Sequence, residues 1–439
     1  MLRIADYIRQ HAAERPDTLA IVCGEECISY ARLWQLVEAE AVRMRNEEHV
    51  EPGRICQLQA SQSAGYLIRF LAIHLVGAIC VPVETPLELP DYCNPAISDV
   101  LFTTGSTSKP KAVLLSNEAI MADADNLIHA HGFRPGLTFV ICGPLHHFGS
   151  WSKVLPTFVV GATLHVLDGL KDTEALLHAL GSTSSTATFL VPSAIRMLMQ
   201  LCGSRLRELQ HNIDFIETGA APIATSDMEQ LRQLLPYTRL YNTYASTETG
   251  VVCTYPFHLP SAEQQPSVSD RPVMELAACR QSCVGPTMRH ARIRLDDEGH
   301  ICVSGPMIMS GYMHDPQQQV EIQTSDIGCI DEQGYLVITG RDSDFINVGG
   351  LKVAPAEVED VASGMEGIQD CICIGRPHPM MGQIPCLLVV MKPGIPFDKK
   401  ALIKYLKPRL ETFKIPLAYE EVDEVKKTFN GKKDRKAYR

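Results

Sequence analysis

Apolar positions along the chain change their spacing several times, and each change predicts an element. Ile4, Tyr7 and Ile8 recur at helical spacing before a break at Pro16, and Leu33, Leu36, Val37, Ala41 and Met44 keep the same period. Between them Leu19-Ala20-Ile21-Val22-Cys23 is a continuous apolar run of strand length. Ile97 to Phe102 and Ala112 to Leu115 read as two further strands. The longest apolar stretch, Tyr66 to Val83, is interrupted by Arg69 and His74, which makes it a poor membrane span. Phe215 and Ile216 begin another extended segment that runs into a turn at Gly219-Ala220-Ala221. A helix is expected next, with Ser226 as its cap and Glu229 completing a capping box. Leu240 to Tyr244 then returns to extended structure. This strand–turn–helix–strand order predicts an α/β sheet with its ligand at the strand ends.

The pattern shifts at residue 283. Short strand-like pieces (Ala291 to Leu295, His300 to Val303, Tyr335 to Ile338) alternate with Gly and Asp turns, which predicts a small β-barrel-like section. After Gly340-Arg341 a compact α+β unit is expected. Pro355 opens a helix with Glu357, Glu359 and Asp360 in its first turns, where the helix dipole favours acids. Strands follow around Cys371–Ile374 and Leu387–Met391, then an amphipathic helix marked by Leu402, Ile403, Leu406 and Leu410. The fold class is therefore α/β, with a large N-terminal domain over residues 1–342 and a small C-terminal α+β domain over 343–439.

Bulk composition narrows the function. The chain has 439 residues, 45% hydrophobic and 21% charged, as in ordinary globular proteins with sizeable cores. A net charge of −11 argues against a general nucleic-acid binder. A basic run from Lys426 to Arg439 closes the chain and reads mainly as a solvated tail. The fifteen cysteines are odd in number and scattered. Cys279/Cys283 and Cys371/Cys373 lack the spacing of a zinc knuckle, and Cys23 and Cys386 lie in apolar, strand-like contexts. With a start that turns polar by Asp6, so without the look of a signal peptide, these thiols point to a reducing, cytoplasmic setting.

Chemistry concentrates at residues 103–111, Thr-Thr-Gly-Ser-Thr-Ser-Lys-Pro-Lys. Hydroxyls, a glycine and two lysines between two strands suit a loop that wraps a polyphosphate, with backbone N–H groups and hydroxyls donating to its oxygens. No Gly-Lys-Ser/Thr opens a helix, so this is not the Walker pattern. A second segment, Pro144-Leu145-His146-His147-Phe148-Gly149, carries a histidine pair. Metal binding there would need further ligands that the sequence does not supply.

Residues 103–111 closely resemble the phosphate loop of the acyl-adenylate-forming superfamily of acyl-CoA synthetases, luciferases and peptide-synthetase adenylation domains. Other segments resemble that family in the required order. Glu217-Thr218-Gly219-Ala220-Ala221-Pro222 is similar to the loop against the adenine, and Tyr244-Ala245-Ser246-Thr247-Glu248 to the Tyr-Gly-x-Thr-Glu segment. Asp326 resembles the ribose-binding aspartate. Residues 340–359 resemble the interdomain hinge and the start of a mobile C-terminal domain, and Asn430-Gly431-Lys432 the terminal Asn-Gly-Lys. The likeness is colinear from about residue 20 to about residue 435.

The resemblance implies ATP-dependent activation of a carboxylic acid through an acyl- or aryl-adenylate, then transfer to a thiol. Thr104, Gly105, Ser106, Thr107 and Lys111 would grip the β- and γ-phosphates, Thr247 the α-phosphate, and Glu248 the Mg²⁺. Gly219, Ala220, Ala221 and Tyr244 would flank the adenosine, and Asp326 with Arg341 the ribose. Lys432 would bridge the substrate carboxylate and the α-phosphate, with His147 beside the acyl carboxylate. Phe148, Trp151 and Thr218 would line the acyl pocket with Tyr244 and Val251. Ser343 would be the pivot, and Gly349-Gly350 would approach the pantetheine tunnel. Phe148 stands where amino-acid-activating members carry an Asp, so an uncharged acyl or aryl acid fits better than an α-amino acid, whose ammonium would go unpaired. CoA is the implied acceptor, with the phosphopantetheine of a carrier protein as the alternative. A non-catalytic nucleotide binder and a luciferase-like oxidase remain open at this stage.

The sequence departs from the family pattern at Ser108, Ser325 and Ala245, each replacing a usual glycine. Only residues 84–102 separate Val83 from Thr103, where typical members have several times more. The chain reads as a compact member with part of an N-terminal subdomain trimmed.

Overall fold

The computed structural model describes residues 2–103, 110–260, 282–317, 319–427 and 433–438. Four sheets organise them. The largest has eight strands in the spatial order Gly250–His258, Arg239–Ser246, Ile213–Gly219, Thr186–Leu190, Thr138–Ile141, Thr163–Val166, Leu19–Cys23 and Glu26–Ser29. Its six central strands are parallel and both edge strands antiparallel. Such a sheet is buried on both faces, which explains the near-continuous apolar strands in the sequence. A second sheet runs Gly311–Tyr312, Ala112–Ser116, Ile97–Phe102, Ile79–Val83, Ile55–Gln59. The apolar stretch Tyr66–Val83 divides into the helix Ala64–Val76 and the strand Ile79–Val83, with Gly77 in the left-handed region ending the helix.

The section expected to be barrel-like is an open five-stranded antiparallel sheet, Cys283–Gly285, Leu336–Arg341, Ile322–Ile330, His300–Ser304, Arg292–Leu295. One apolar core joins these three sheets, from Phe139 and Phe215 through Leu101 and Val113 to Val303 and Leu336. A second core packs the helices Thr173–Leu180, Pro192–Glu208 and Thr225–Leu234 on the opposite face of the large sheet.

The helix Thr225–Leu234 starts earlier than its sequence indicates. Ala224 is the cap residue, without a side-chain hydrogen bond, and Ser226 lies inside the first turn. The reason is tertiary: Asp360 Oδ1 accepts from the Thr225 N–H at 3.3 Å and does the work expected of Ser226. Asp360 belongs to the helix Pro355–Ser363, which opens on proline as the sequence indicates. The last sheet orders Leu351–Val353, Ile346–Val348, Gly382–Met391 and Ile368–His378, with Ala418–Glu421 paired parallel to Gly382–Met391. Its two cores draw only on residues from Ile346 onward.

Candidate active site

Motifs carried by three different sheets come together. Thr103 and Lys111 close the neck of the phosphate-loop segment: Thr103 N–H donates to the Lys111 carbonyl at 3.0 Å, and Lys111 N–H to Thr103 Oγ1 at 3.1 Å. Thr104, Gly105, Ser106 and Thr107 lie outside the described residues, as does Lys432. The Lys111 ammonium sits 4.8 Å over the ring of Tyr312, whose hydroxyl donates to Glu248 Oε1 at 3.2 Å. Burial, then the Glu248 carboxylate, pushes that phenol up to about 12, so it stays a donor. Tyr312 was not visible as a site residue in the sequence. It arrives because the two-residue strand Gly311–Tyr312 pairs with Val113–Leu114, just past Lys111. Thr247 and Glu248 occupy the turn between Arg239–Ser246 and Gly250–His258, with the Glu248 carbonyl accepting from Met309 N–H at 2.8 Å. Glu248 offers a hard carboxylate oxygen, the donor that Mg²⁺ takes, and this residue fits the ion.

Asp326 is buried and held from two sides. Tyr244 hydroxyl donates to its Oδ2 at 2.8 Å, and Arg341 Nε to its Oδ1 at 2.7 Å. The register of Ile322–Ile330 against Leu336–Arg341 sets Asp326 directly opposite Arg341. Burial and then the Asp326 charge raise the Tyr244 phenol well above its ordinary value. Gly219 ends its strand where a Cβ would meet the Thr243 carbonyl oxygen at 2.7 Å, so only glycine fits. Ala220, not a glycine, carries the left-handed backbone of this turn, at φ +65°.

His147 precedes the helix Phe148–Val160, its carbonyl accepting from Trp151 N–H at 2.8 Å. Burial and the neighbouring His146 hold its imidazole down at about 4, so the ring is neutral at neutral pH. Phe148 is half-buried, its ring centroid 6.1 Å from that of Trp151. Trp151 and Val251 lie in the core at 1% and 0% exposure. Thr218 Oγ1 is buried without a hydrogen-bond partner. Phe189 is a residue the sequence did not single out: it is the one half-buried position in the otherwise buried strand Thr186–Leu190. A Cβ on Gly149 would lie 2.9 Å from the Phe189 ring, and one on Gly219 3.6 Å from it. The ring therefore fills the space between the histidine segment and the adenine-loop segment.

Beneath this lies a buried ionic cluster that sequence reading also missed. Lys153 Nζ is 2.8 Å from Glu217 Oε1, and Glu217 Oε2 is 3.3 Å from His131 Nδ1, with all three side chains at most 2% exposed. The signal available was Lys153 itself, a charge inside an apolar helical run. Ser343 lies in the turn Asp342–Asp344 that leads out of Leu336–Arg341. Gly349 and Gly350, at φ +58° and +92°, form the two-residue turn of the hairpin Ile346–Val348/Leu351–Val353, a geometry that calls for glycine in its own right.

The phosphate-loop segment joins two antiparallel strands of the second sheet, while the adenine-loop and Glu248 segments leave strands of the large sheet, an arrangement of the adenylate-forming type. Residues 94–313 match the model of the AMP-binding enzyme family, and residues 357–432 that of the AMP-binding enzyme C-terminal domain. The chain belongs to the AMP-binding enzyme family. It is 29% identical over 373 residues to the 2-succinylbenzoate–CoA ligase of Staphylococcus aureus, covering 82% of this chain and 70% of that one. Its fold matches ATP-bound MatB from Rhodopseudomonas palustris with a TM-score of 0.85 at 20% identity, over 100% of this chain and 98% of the other. It also matches o-succinylbenzoate CoA synthetase from Bacillus subtilis in complex with an acyl-adenylate, with a TM-score of 0.81 at 19% identity, over 99% and 97% of the two chains. Among the described residues no helix is long and apolar enough to cross a membrane.

Proposed function

We propose that this enzyme is an acid–thiol ligase. It activates a small acyl or aryl carboxylic acid with ATP and Mg²⁺ and passes the acyl group to CoA. The observation that carries the nucleotide half of this reading is Asp326, a buried carboxylate fixed by Tyr244 and Arg341 with its acceptor capacity not exhausted. Paired ribose hydroxyls are the donors such a group takes. The substrate carboxylate attacks the α-phosphorus, its C–O–P bond forms, and the bond to pyrophosphate breaks. The thiol then attacks the acyl carbon and AMP leaves.

In this reading Thr104, Gly105, Ser106, Thr107 and Lys111 hold the outer phosphates, Thr247 the α-phosphate and Glu248 the Mg²⁺, which neutralises phosphate charge. Lys432 supplies the positive charge between carboxylate and α-phosphate. Neutral His147 donates one N–H toward the acyl carboxylate, and Phe148, Phe189 and Thr218 shape the acyl pocket. Residues 1–342 form the adenylation domain and 343–439 the domain that turns about Ser343, a division supported by the separate cores on either side. The setting we assign is cytoplasmic, in keeping with the scattered cysteines that form no disulfide among the described residues.

The test is pyrophosphate release from Mg-ATP across aryl, short-chain and long-chain acids, with and without CoA. Release that turns over only with CoA supports the ligase. A single turnover unaffected by CoA moves the acceptor to a carrier protein, and no release with any acid refutes the activity.

A further inference from the structure

The third ligand that the histidine pair lacks in sequence arrives through the fold. Glu84 leaves the strand Ile79–Val83 beside the turn bearing His146 and His147, 62 positions before His146. Glu84 Oε1 lies 3.2 Å from His146 Nε2, and the two imidazole rings stand edge to face with centroids 4.3 Å apart. One donor atom from each of the three residues lies within 4.8 Å of the other two. We propose that Glu84, His146 and His147 form a binding site for a divalent transition ion of the zinc class.

The chemistry of the donors supports this. Two imidazoles and one carboxylate are a set that zinc takes in three-ligand sites, leaving its fourth position to water or a ligand. Mg²⁺ prefers oxygen donors throughout, so this site is distinct from the one at Glu248. Donors about 2.0–2.2 Å from a tetrahedral ion are separated by roughly 3.3–3.6 Å, so Glu84 and His146 already stand near chelating separation. The third donor needs a side-chain rotation of the order of 1 Å. His146 is 16% exposed and Glu84 63%, so the fold holds the imidazole while the carboxylate closes from solvent, which gives the ion an entry path.

Occupancy has a consequence that rests on the reading under Proposed function. An ion on His147 removes the group that meets the acyl carboxylate, so zinc inhibits by competing with the acid and not with ATP.

The experiment titrates the chelator-stripped full-length chain with Co²⁺, followed by visible absorption, and displaces the cobalt with Zn²⁺. One ion per chain with four-coordinate d–d bands is expected. Glu84→Gln and His146→Ala should each weaken binding at least tenfold with an unchanged far-UV circular dichroism spectrum. A spectrum insensitive to both substitutions, a thiolate-to-cobalt charge-transfer band, or no binding at micromolar Co²⁺ overturns the site. In the activity arm Zn²⁺ should raise the KM for the acid in the parent enzyme and much less in Glu84→Gln, and equal inhibition of both overturns the inhibitory role. Inactivity toward every acid would count against the ligase reading alone, because the cobalt titration decides the site by itself.

Discussion

Removing the carboxylate from Glu217 tests whether the buried cluster of Lys153, Glu217 and His131 is built as a unit. Lys153 Nζ has Glu217 Oε1 at 2.8 Å, Ser152 Oγ at 3.2 Å and the Phe189 ring at 5.2 Å. Glu217→Leu leaves the ammonium 2% exposed with one hydroxyl, one ring face and only the more distant Asp123 carboxyl for counter-charge, which should cost about 3–5 kcal/mol. Lys153→Met alone leaves Glu217 with His131 and should cost somewhat less. The double variant removes both charges at similar volume and should lie within about 2 kcal/mol of the parent, more stable than Glu217→Leu. The assay is denaturant unfolding followed by tryptophan fluorescence, since Trp151 lies on the same helix as Lys153. A chain with several cores need not unfold in one step, and the chain has a second tryptophan, so the variants are made in a Trp34→Phe background and the transition reported by Trp151 is the one compared. The pH dependence gives a second reading. Burial, the largest influence on Glu217, pushes its carboxyl up, but Lys153 and His131 outweigh it and hold the group at about 2 against an ordinary 4.5. A depressed carboxyl contributes stability above its ordinary value, and that contribution is lost as pH falls from about 4.5 toward about 2. Glu217→Leu should flatten this part of the curve. A cost below about 1 kcal/mol for Glu217→Leu, or a double variant less stable than both singles, would refute the argument.

Asp326→Asn should raise the KM for ATP about 10- to 100-fold with a smaller change in kcat, as expected from about 1.5–3 kcal/mol for hydrogen bonds to a charged acceptor, and a kcat-only effect in pyrophosphate release would exclude the ribose role. Lys432→Ala should slow adenylation by on the order of 10²–10³ while sparing thioester formation from preformed adenylate. Equal loss of both half-reactions would contradict a turning C-terminal domain. Asp123 is pushed up to about 6 by burial, against an opposing hydrogen bond from Val251 N–H and the charge of Lys153. Its raised carboxyl lowers stability as pH climbs from about 3.8 to about 6, so Asp123→Asn should stabilise above pH 6 and change little below pH 4, measured by denaturant midpoints at the two ends.

Much of the fold was legible because the parallel strands are continuous apolar runs and the helices keep their period. The strands Leu19–Cys23 and Ile97–Phe102 and the proline start at Pro355 appear where the pattern puts them. Contacts between distant segments were not legible. Ser226 has the right side chain for a cap, yet Asp360, far along the chain, reaches the helix end first. Tyr312 was hidden in a two-residue strand too short to leave a period. Lys153 and Glu217 become partners only when a helix and a sheet strand meet, a pairing that no spacing along one element encodes.

The short connection after Val83 covers a sheet edge and sets where Glu84 stands. The strand Ile55–Gln59 is the edge of its sheet, and an open edge invites pairing with other chains. The connection covers it as a strap. Gln57 exchanges hydrogen bonds with the Leu87 carbonyl at 2.8 Å and the Leu87 N–H at 2.9 Å, Arg54 pairs with Asp91, and Asn94 N–H donates to the Gly53 carbonyl at 2.9 Å. Leu89 and Tyr92 pack against the core of Ile79, Val81 and Val100 and shield it from water. A strap bonded this early along its length leaves the chain no slack at residue 84. Its carboxylate therefore emerges against His146, where a longer, looser connection would set no such position. The same strap that covers the sheet edge thus sets the position of Glu84 beside the histidine pair.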